Sequence, residues 1–509
     1  MNQLKAGALL NYVLLGLNSL VGLLYTPYML RMMGQSEYGL YSLVASVIAY
    51  IAIMDFGFGN AIVRYTAKFR AEGKVREQYS MFGMFLILYS VVGMLAFGAG
   101  LSLYFNVDAL FGITMSAEEI SRAKVLMLIL SFNLAATFPL SIFGAIITAY
   151  EDFVFQKVVQ IIRILLNTIV MVCLLKMGYK AIAMVVVQTV FNVVTLLLNY
   201  YYCRYKIRIR LFFGKFQWGF LREIGIYSFW IFLNVIMDRI YWSTGQFVLG
   251  AAVGTVAVAI FAVAIQLEAM YMQFSSAIAN VFLPKVTAMV ATRRTDRELS
   301  DLFIRTGRIQ FIIIGFILSG FCLFGRQFII LWAGPGYEDA YILALLFFIS
   351  LTIPLIQNIG VSILQARNQM KFRSLMYIVI AGCSLLGQIV LSKYWGSLGC
   401  AIAIAAALLL GQGLIMNIYY HRVQKIDIVS FWREIAKMSL VPVTLVIVGK
   451  IGLTFFSYSG AIALGIGIAC FTAIYVPAFW FGGMNESERK LIREPIGRLA
   501  RGVLKPDKL

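Results

Sequence analysis

Long apolar runs alternate with short polar breaks from one end of this chain to the other. A helix needs about 20 mostly apolar residues to cross the hydrocarbon core of a bilayer. Fourteen runs meet that requirement, at 6–30, 39–63, 79–104, 124–150, 155–176, 181–203, 222–247, 254–283, 307–330, 340–365, 373–393, 397–420, 436–456 and 460–482. The expected fold is therefore all-α and polytopic, with about fourteen transmembrane helices. Five of the runs contain a proline, at Pro27, Pro139, Pro354, Pro442 and Pro477. Proline removes a backbone donor and bends a helix, which a bundle accepts where neighbours satisfy the freed carbonyl.

Composition agrees. Of 509 residues, 61% are hydrophobic and only 13% are charged, and mean hydropathy is +0.86. These values lie far outside those of soluble domains. The net charge of +20 could suggest nucleic acid, but the basic residues punctuate the apolar runs. Arg64, Lys68, Arg70, Lys74 and Arg76 form one block. Arg204, Lys206, Arg208, Arg210, Lys215 and Arg222 form a second, and the segment from Arg489 to Lys508 adds more. Basic loops stay in the cytoplasm. With the first residues inside, only eight of the 43 Lys and Arg fall at outer ends: Arg31, Arg122, Lys124, Lys176, Lys180, Arg326, Lys393 and Lys450. Arg163 and Arg239 lie within spans, and all the others fall inside. Both termini are thus expected in the cytoplasm. Lys5 and the apolar stretch to Leu30 are too long for a signal segment and read as the first span. Nucleic acid is not an expected partner.

The six cysteines are scattered through apolar runs, and the one histidine, His421, sits beside Arg422 in a basic loop. Neither a disulfide framework nor a metal site is indicated, and no cofactor is expected. The segment 204–221 mixes basic residues with Phe212, Phe213, Phe216, Trp218 and Phe220, which suits the inner membrane surface. It also divides the chain between the sixth and seventh spans. An offset of 220 residues lays Gly34 on Gly254, Tyr41 on Phe261 and Asn60 on Asn280, bringing spans one and two onto seven and eight. Parallel repeats of this kind occur in transporters, with the site at the repeat interface. The expected division is 1–203, a linker at 204–221, 222–420, the last two spans within 421–482, and a basic tail at 483–509.

Ionisable side chains at membrane depth cost at least about 2.5 kcal/mol each on insertion scales, so each needs a reason. Asp55, Arg163, Asp238, Arg239 and Glu268 stand out, with Arg64 at the inner end of span two. Asp238 and Arg239 are adjacent and so point about 100° apart on a helix. Interhelical pairing that fixes packing, for example Asp55 with an arginine, stands beside a functional role for Asp55 and Asp238. For Arg163, Arg239 and Glu268 a wet cavity competes with structural pairing. No HExxH, Walker lysine or GxSxG pattern is present, and no segment is long enough for a nucleotide fold, so neither an enzyme nor an ATP-driven pump is expected.

MDFGFGNAIVRYTAKF at 54–69 has an aspartate, small glycine-rich steps and a following basic residue. FGKFQWGFLREIGIYSFWIFLNVIMDRIYWSTGQFVLG at 213–250 carries a basic aromatic linker and a D-R pair. VGTVAVAIFAVAIQL, closing on NVFLPKVTAM, spans 253–289, and LQARNQMKFRS spans 364–374. In order and spacing these segments resemble the polysaccharide-transport branch of the multidrug/oligosaccharidyl-lipid/polysaccharide exporter superfamily, which includes O-antigen repeat-unit flippases. The resemblance implies two six-helix lobes in a V around a central cavity, plus two C-terminal helices. In related peptidoglycan-precursor flippases the last two helices form a groove for the lipid tail, which here corresponds to 436–482. The resemblance also implies a substrate of oligosaccharide on polyprenyl pyrophosphate, moved from the inner to the outer leaflet of a bacterial cytoplasmic membrane. Its partners would be that lipid-linked oligosaccharide, membrane lipids, and a polymerase with its chain-length machinery. Arg163, Arg239 and Arg64 would offer the cations a pyrophosphate needs, and Asp55, Asp238 and Glu268 would balance them or bind a coupling cation.

Three alternatives remain open at this stage. A peptidoglycan-precursor flippase shares fold and lipid chemistry. A cation-coupled multidrug antiporter would use the embedded carboxylates. A membrane glycosyltransferase or ligase would need a large outer loop, but the largest here, 105–123, holds only Asp108, Glu118 and Glu119 as acids. The topology is directly testable. Reporter fusions after residue 115 should report the outside, and fusions after residues 72, 212 and 295 the inside. An outside signal at 212 would overturn both topology and division.

Overall fold

The computed structural model describes residues 3–213, 218–292, 294–367, 369–455, 460–490 and 493. Residues 214–217 of the expected linker and most of the basic tail lie outside the described residues. The described chain is helical throughout, with no strand among the described residues. In a hydrocarbon medium only a helix or a closed barrel pairs every backbone group, and these sequences lack strand alternation. Many large apolar side chains face outward, among them Leu24 (69%), Met94 (68%) and Ile462 (82%). On a water-soluble protein that surface would aggregate; on a membrane protein it faces lipid.

Two compact units emerge, Met1–Val263 with Ala381–Ala403, and Ala264–Ile380 with Ile404–Leu509. The first contains α1 (Gln3–Met33), α2 (Gln35–Ile51), α3 (Phe58–Ala71), α4 (Val75–Phe111), α5 (Ala117–Ala149), α6 (Phe153–Lys176), α7 (Ala181–Tyr202), α8 (Trp218–Trp242) and α9 (Thr244–Ala252). Helix α10 (Thr255–Ala291) begins in it. The second contains α11 (Asp296–Trp332), α12 (Ala340–Ile356) and α13 (Asn358–Ala366). It also holds parts of α14 (Lys371–Leu408), then α15 (Met416–Arg422), α16 (Ile428–Phe455) and α17 (Ala461–Gly482).

Eleven helices among the described residues are long and apolar enough to span a bilayer, or twelve when the bent pair α12 and α13 counts as one crossing. The difference from fourteen expected spans lies in two places. The expected spans 373–393 and 397–420 are merged in one helical stretch, Lys371–Arg422. Within it α14 consists of two helices that meet at a kink, between the two expected spans. Gly396, at φ 53° and ψ −130°, interrupts it with a conformation closed to other residues. The expected span 222–247 falls largely on α8, 25 residues long, many of whose side chains lie outside the described residues; α9 follows from Thr244.

Within the first unit α4 and α5 pack most closely. A Cβ on Gly93 would lie 2.7 Å from the Ala135 carbonyl, so only glycine permits this backbone approach. At the N-terminal end of α5, Ser116 and Glu119 form a capping box, and Glu119 also accepts from Ser36 Oγ at 2.6 Å and Thr255 Oγ1 at 2.8 Å. One carboxylate thus joins the starts of α2, α5 and α10. Beside it Glu37, 5% exposed, accepts from Arg122 Nη1 at 2.6 Å and from the Ala181 amide at 3.3 Å.

The second unit has an ionic centre of its own. Arg308 is 5% exposed and Glu488 2%. Arg308 Nε and Nη2 donate to the two Glu488 oxygens at 2.6 and 3.0 Å. Nη1 donates to Glu434 at 2.7 Å and Nη2 also to the Gly483 carbonyl at 3.1 Å. Breaking one partner leaves a buried charge uncompensated, at about 3–5 kcal/mol. Glu488→Ala should therefore lower the unfolding midpoint of the detergent-solubilised protein sharply. R308M/E488L should recover most of the loss, because it removes both charges. A thermal size-exclusion assay reads this, and an unchanged midpoint in Glu488→Ala would contradict it.

Candidate functional site

Three helices of the first unit carry polar side chains at helical spacing within otherwise apolar sequence. On α1, Asn11, Asn18 and Tyr25 recur every seven residues and share a face. On α6, Lys157, Gln160, Arg163 and Asn167 form a second stripe. On α7, Gln188 and Asn192 sit one turn apart. Together with Asn133 of α5 these side chains line one cavity of about 720 Å³.

The amides are cross-linked where helices meet. Asn192 Nδ2 donates to Asn133 Oδ1 and to Thr137 Oγ1, each at 2.8 Å. Gln188 Nε2 donates to Tyr41 Oη at 3.2 Å. Lys157 Nζ donates to Asn11 Oδ1 at 3.0 Å. Other groups remain open. Asn167 Oδ1 and Tyr25 Oη are buried and have no hydrogen-bond partner among the described residues. The Arg163 guanidinium, half-buried about 15 Å along α6, has no hydrogen bond or ion pair among the described residues. Such groups at membrane depth require water or a ligand. Among the described residues no carboxylate lines this cavity, which offers two cations and a set of amides. It can hold anions and hydroxyl-rich groups.

The other expected residues are placed elsewhere. Asp55 closes a 3₁₀ turn, Ala52–Asp55, that breaks the expected second span into α2 and α3. Phe56 and Gly57 follow at φ 51° and 71°, both left-handed. The carboxylate accepts from Tyr89 Oη at 2.7 Å, and no ion pair with an arginine forms among the described residues. Arg64 is exposed on α3, 5.8 Å from the centroid of the Tyr65 ring. Arg239 is half-buried near the end of α8, where its carbonyl accepts from Tyr50 Oη at 3.4 Å. Its guanidinium makes no ion pair among the described residues. Asp238 beside it is exposed. Glu268 is buried in the part of α10 that belongs to the second unit. Of the six, Arg163 alone is among the residues that line the amide cavity. The amide stripes themselves were missed, although their seven-residue spacing on α1 was available in the sequence.

A family model described as "Polysaccharide biosynthesis protein" matches residues 4–290, more than half of the chain. A Shigella flexneri protein named as an O-antigen transporter is 21% identical over 400 residues, covering 77% of this chain and 92% of that protein. Among solved structures, the lipid II flippase MurJ in an inward closed conformation superposes with a TM-score of 0.72 at 15% identity, covering 93% of this chain and 97% of that one. An inward-facing multidrug resistance MATE family transporter gives 0.63 at 16% identity, covering 81% and 99%. The fold is shared with these transporters.

Cysteine labelling checks whether the cavity is wet. In a variant with its six native cysteines replaced, Asn18→Cys and Asn167→Cys should react with a charged, membrane-impermeant thiol reagent. Ile169→Cys should not, because Ile169 is 58% exposed on the same helix but lines no part of the cavity and faces lipid. Equal reactivity at 167 and 169 would contradict this assignment.

Proposed function

The chain belongs to the polysaccharide biosynthesis protein family, and we propose that it is a flippase for an oligosaccharide carried on polyprenyl pyrophosphate. The head group passes from the inner to the outer leaflet of a bacterial cytoplasmic membrane, while the polyprenyl tail stays in lipid. The observation that carries this proposal is the lining of the Arg163 cavity: amides and two cations, with no carboxylate. Arg163 and Lys157 suit pyrophosphate oxygens. Asn11, Asn18, Asn133, Gln160 and Asn167 suit sugar hydroxyls. Arg239 and Arg64 add cations on the path, and Asp55, Asp238 and Glu268 balance charge or bind a coupling cation. A multidrug antiporter expelling cations would need acidic groups where this cavity has none.

In this proposal residues 1–203 and 222–420 are the two lobes, and 204–221 links them. The segment 421–482 supplies the last two helices, and both termini remain cytoplasmic. A polymerase and its chain-length machinery would consume the product outside. A peptidoglycan precursor presents the same pyrophosphate, so the substrate must be separated by assay.

Complementation of a strain that lacks its repeat-unit flippase, scored as surface glycan with protein level measured in parallel, tests the proposal. Arg163→Ala should reduce surface glycan by about 10- to 100-fold at unchanged protein level, the loss expected for charge-assisted hydrogen bonds. Arg163→Lys should rescue only part, because lysine lacks the planar donor fork. Arg239→Ala should act in the same direction. Full glycan from both alanine variants at normal abundance would sink the role. Rescue of a peptidoglycan-precursor flippase mutant instead would redirect the substrate.

A further inference from the structure

After α7 the backbone follows a constrained path. A π turn, Cys203–Ile207, runs into Arg208 at φ 60°. A left-handed arginine is uncommon and persists only where its surroundings fix it. The Ile209 amide donates to the Cys203 carbonyl at 3.1 Å, and Arg204 Nη1 donates to the Ile209 carbonyl at 3.4 Å. Three residues on, the Phe212 amide donates to the Tyr79 carbonyl of α4 at 3.2 Å. Gly83 makes that approach possible, since any Cβ there would collide with the Phe212 carbonyl. Ile209 is 3% exposed, and its neighbours Arg208 and Arg210 are exposed. The turn thus fixes two arginines on one side.

Both line a cavity of about 1130 Å³ whose opposite wall is the start of α4, with Arg76, Tyr79 and Ser80. No carboxylate lines it among the described residues. Arg76, Arg208 and Arg210 form no ion pair among the described residues, and Glu72 nearby pairs with Lys74 at 2.7 Å. Three guanidiniums around one cavity repel one another unless an anion lies between them. The first turn of α4 adds its own partial positive charge. Beside the arginines, Phe212 and Phe213 are 41% and 63% exposed. Guanidiniums next to exposed rings match the boundary between lipid phosphates and acyl chains.

We propose that Arg76, Arg208 and Arg210 form a binding site for the phosphate of a membrane lipid head group, with Phe213 seated among the acyl chains. The site rests on the cytoplasmic placement of the 64–76 and 204–215 loops, but not on the flippase proposal. A free phosphate would use the arginines and leave the exposed rings without a role.

Native mass spectrometry of the full-length protein, titrated with phosphatidylglycerol, tests this. R76Q/R208Q/R210Q should retain the lipid at least about tenfold more weakly than wild type. R297Q, which removes an exposed arginine at the start of α11, should match wild type. Equal retention by the triple variant and wild type overturns the site. If the triple variant does not fold, R208Q and R210Q singly should each weaken retention about threefold, and no loss in either overturns it. Polyprenyl pyrophosphate in place of phosphatidylglycerol identifies the source, and an arginine-dependent loss with either lipid supports the site. Inorganic phosphate that binds as tightly as the lipids, at the same arginines, overturns the lipid assignment. Surface glycan in the complementation strain is read separately, so failure here leaves the flippase test untouched.

Discussion

A bilayer core offers backbone N–H and C=O groups no partner but each other, and nearly every described residue of this protein answers that constraint by being helical. The exceptions are therefore informative. The chain unwinds at Ala52–Gly57, where Asp55 finds the Tyr89 hydroxyl, and it breaks at Gly396 in the long stretch that begins with α14. It bends by 40° between α12 and α13, just beyond Pro354. Broken helices expose backbone groups that must be satisfied locally, and transporters place such breaks where polar cargo or ions pass. The break beside Asp55 separates α2 from α3 at the left-handed pair Phe56 and Gly57.

The protein treats buried cations in two ways. Arg308 is neutralised by Glu488 and Glu434, in geometry that satisfies its fork. That arrangement holds structure and leaves nothing for a ligand. Arg163 is surrounded by amides, with no acid lining its cavity. Amides are neutral and hydrogen-bond in both senses, so they can wet a cationic pocket without cancelling its charge. An anion entering this pocket meets a charge that has not been used.

Hydropathy located the membrane segments because twenty apolar residues in succession have few other uses. It also separated 373–393 from 397–420, and the helix breaks between them at Gly396, where one glycine with an unusual ψ carries the whole break. Arg163 was visible because a formal charge stands out in an apolar run. Asn18, Asn167 and Asn192 were not, since a single amide costs far less at membrane depth and reads as noise until three helices bring their stripes together. Asp55 was expected to compete between an arginine partner and a functional role, and its described partner, Tyr89, lies 34 residues away on α4. The polysaccharide-transport resemblance rested on ordered segments and is matched by the family assignment of residues 4–290. The cationic cavity at Arg208 depended on a turn whose path no periodicity encodes.

The Arg308–Glu488 pair spans 180 residues of sequence. Chains elongate at roughly 5–20 residues per second, so Arg308 is made roughly 10–40 s before its main partner exists. During that interval α11 holds a guanidinium with no bidentate acceptor, and Glu434 arrives only partway through. The second unit can therefore close its ionic centre only once synthesis has passed Glu488. A chain cut short before Glu488 keeps Arg308 without the bidentate acceptor that the longer chain supplies.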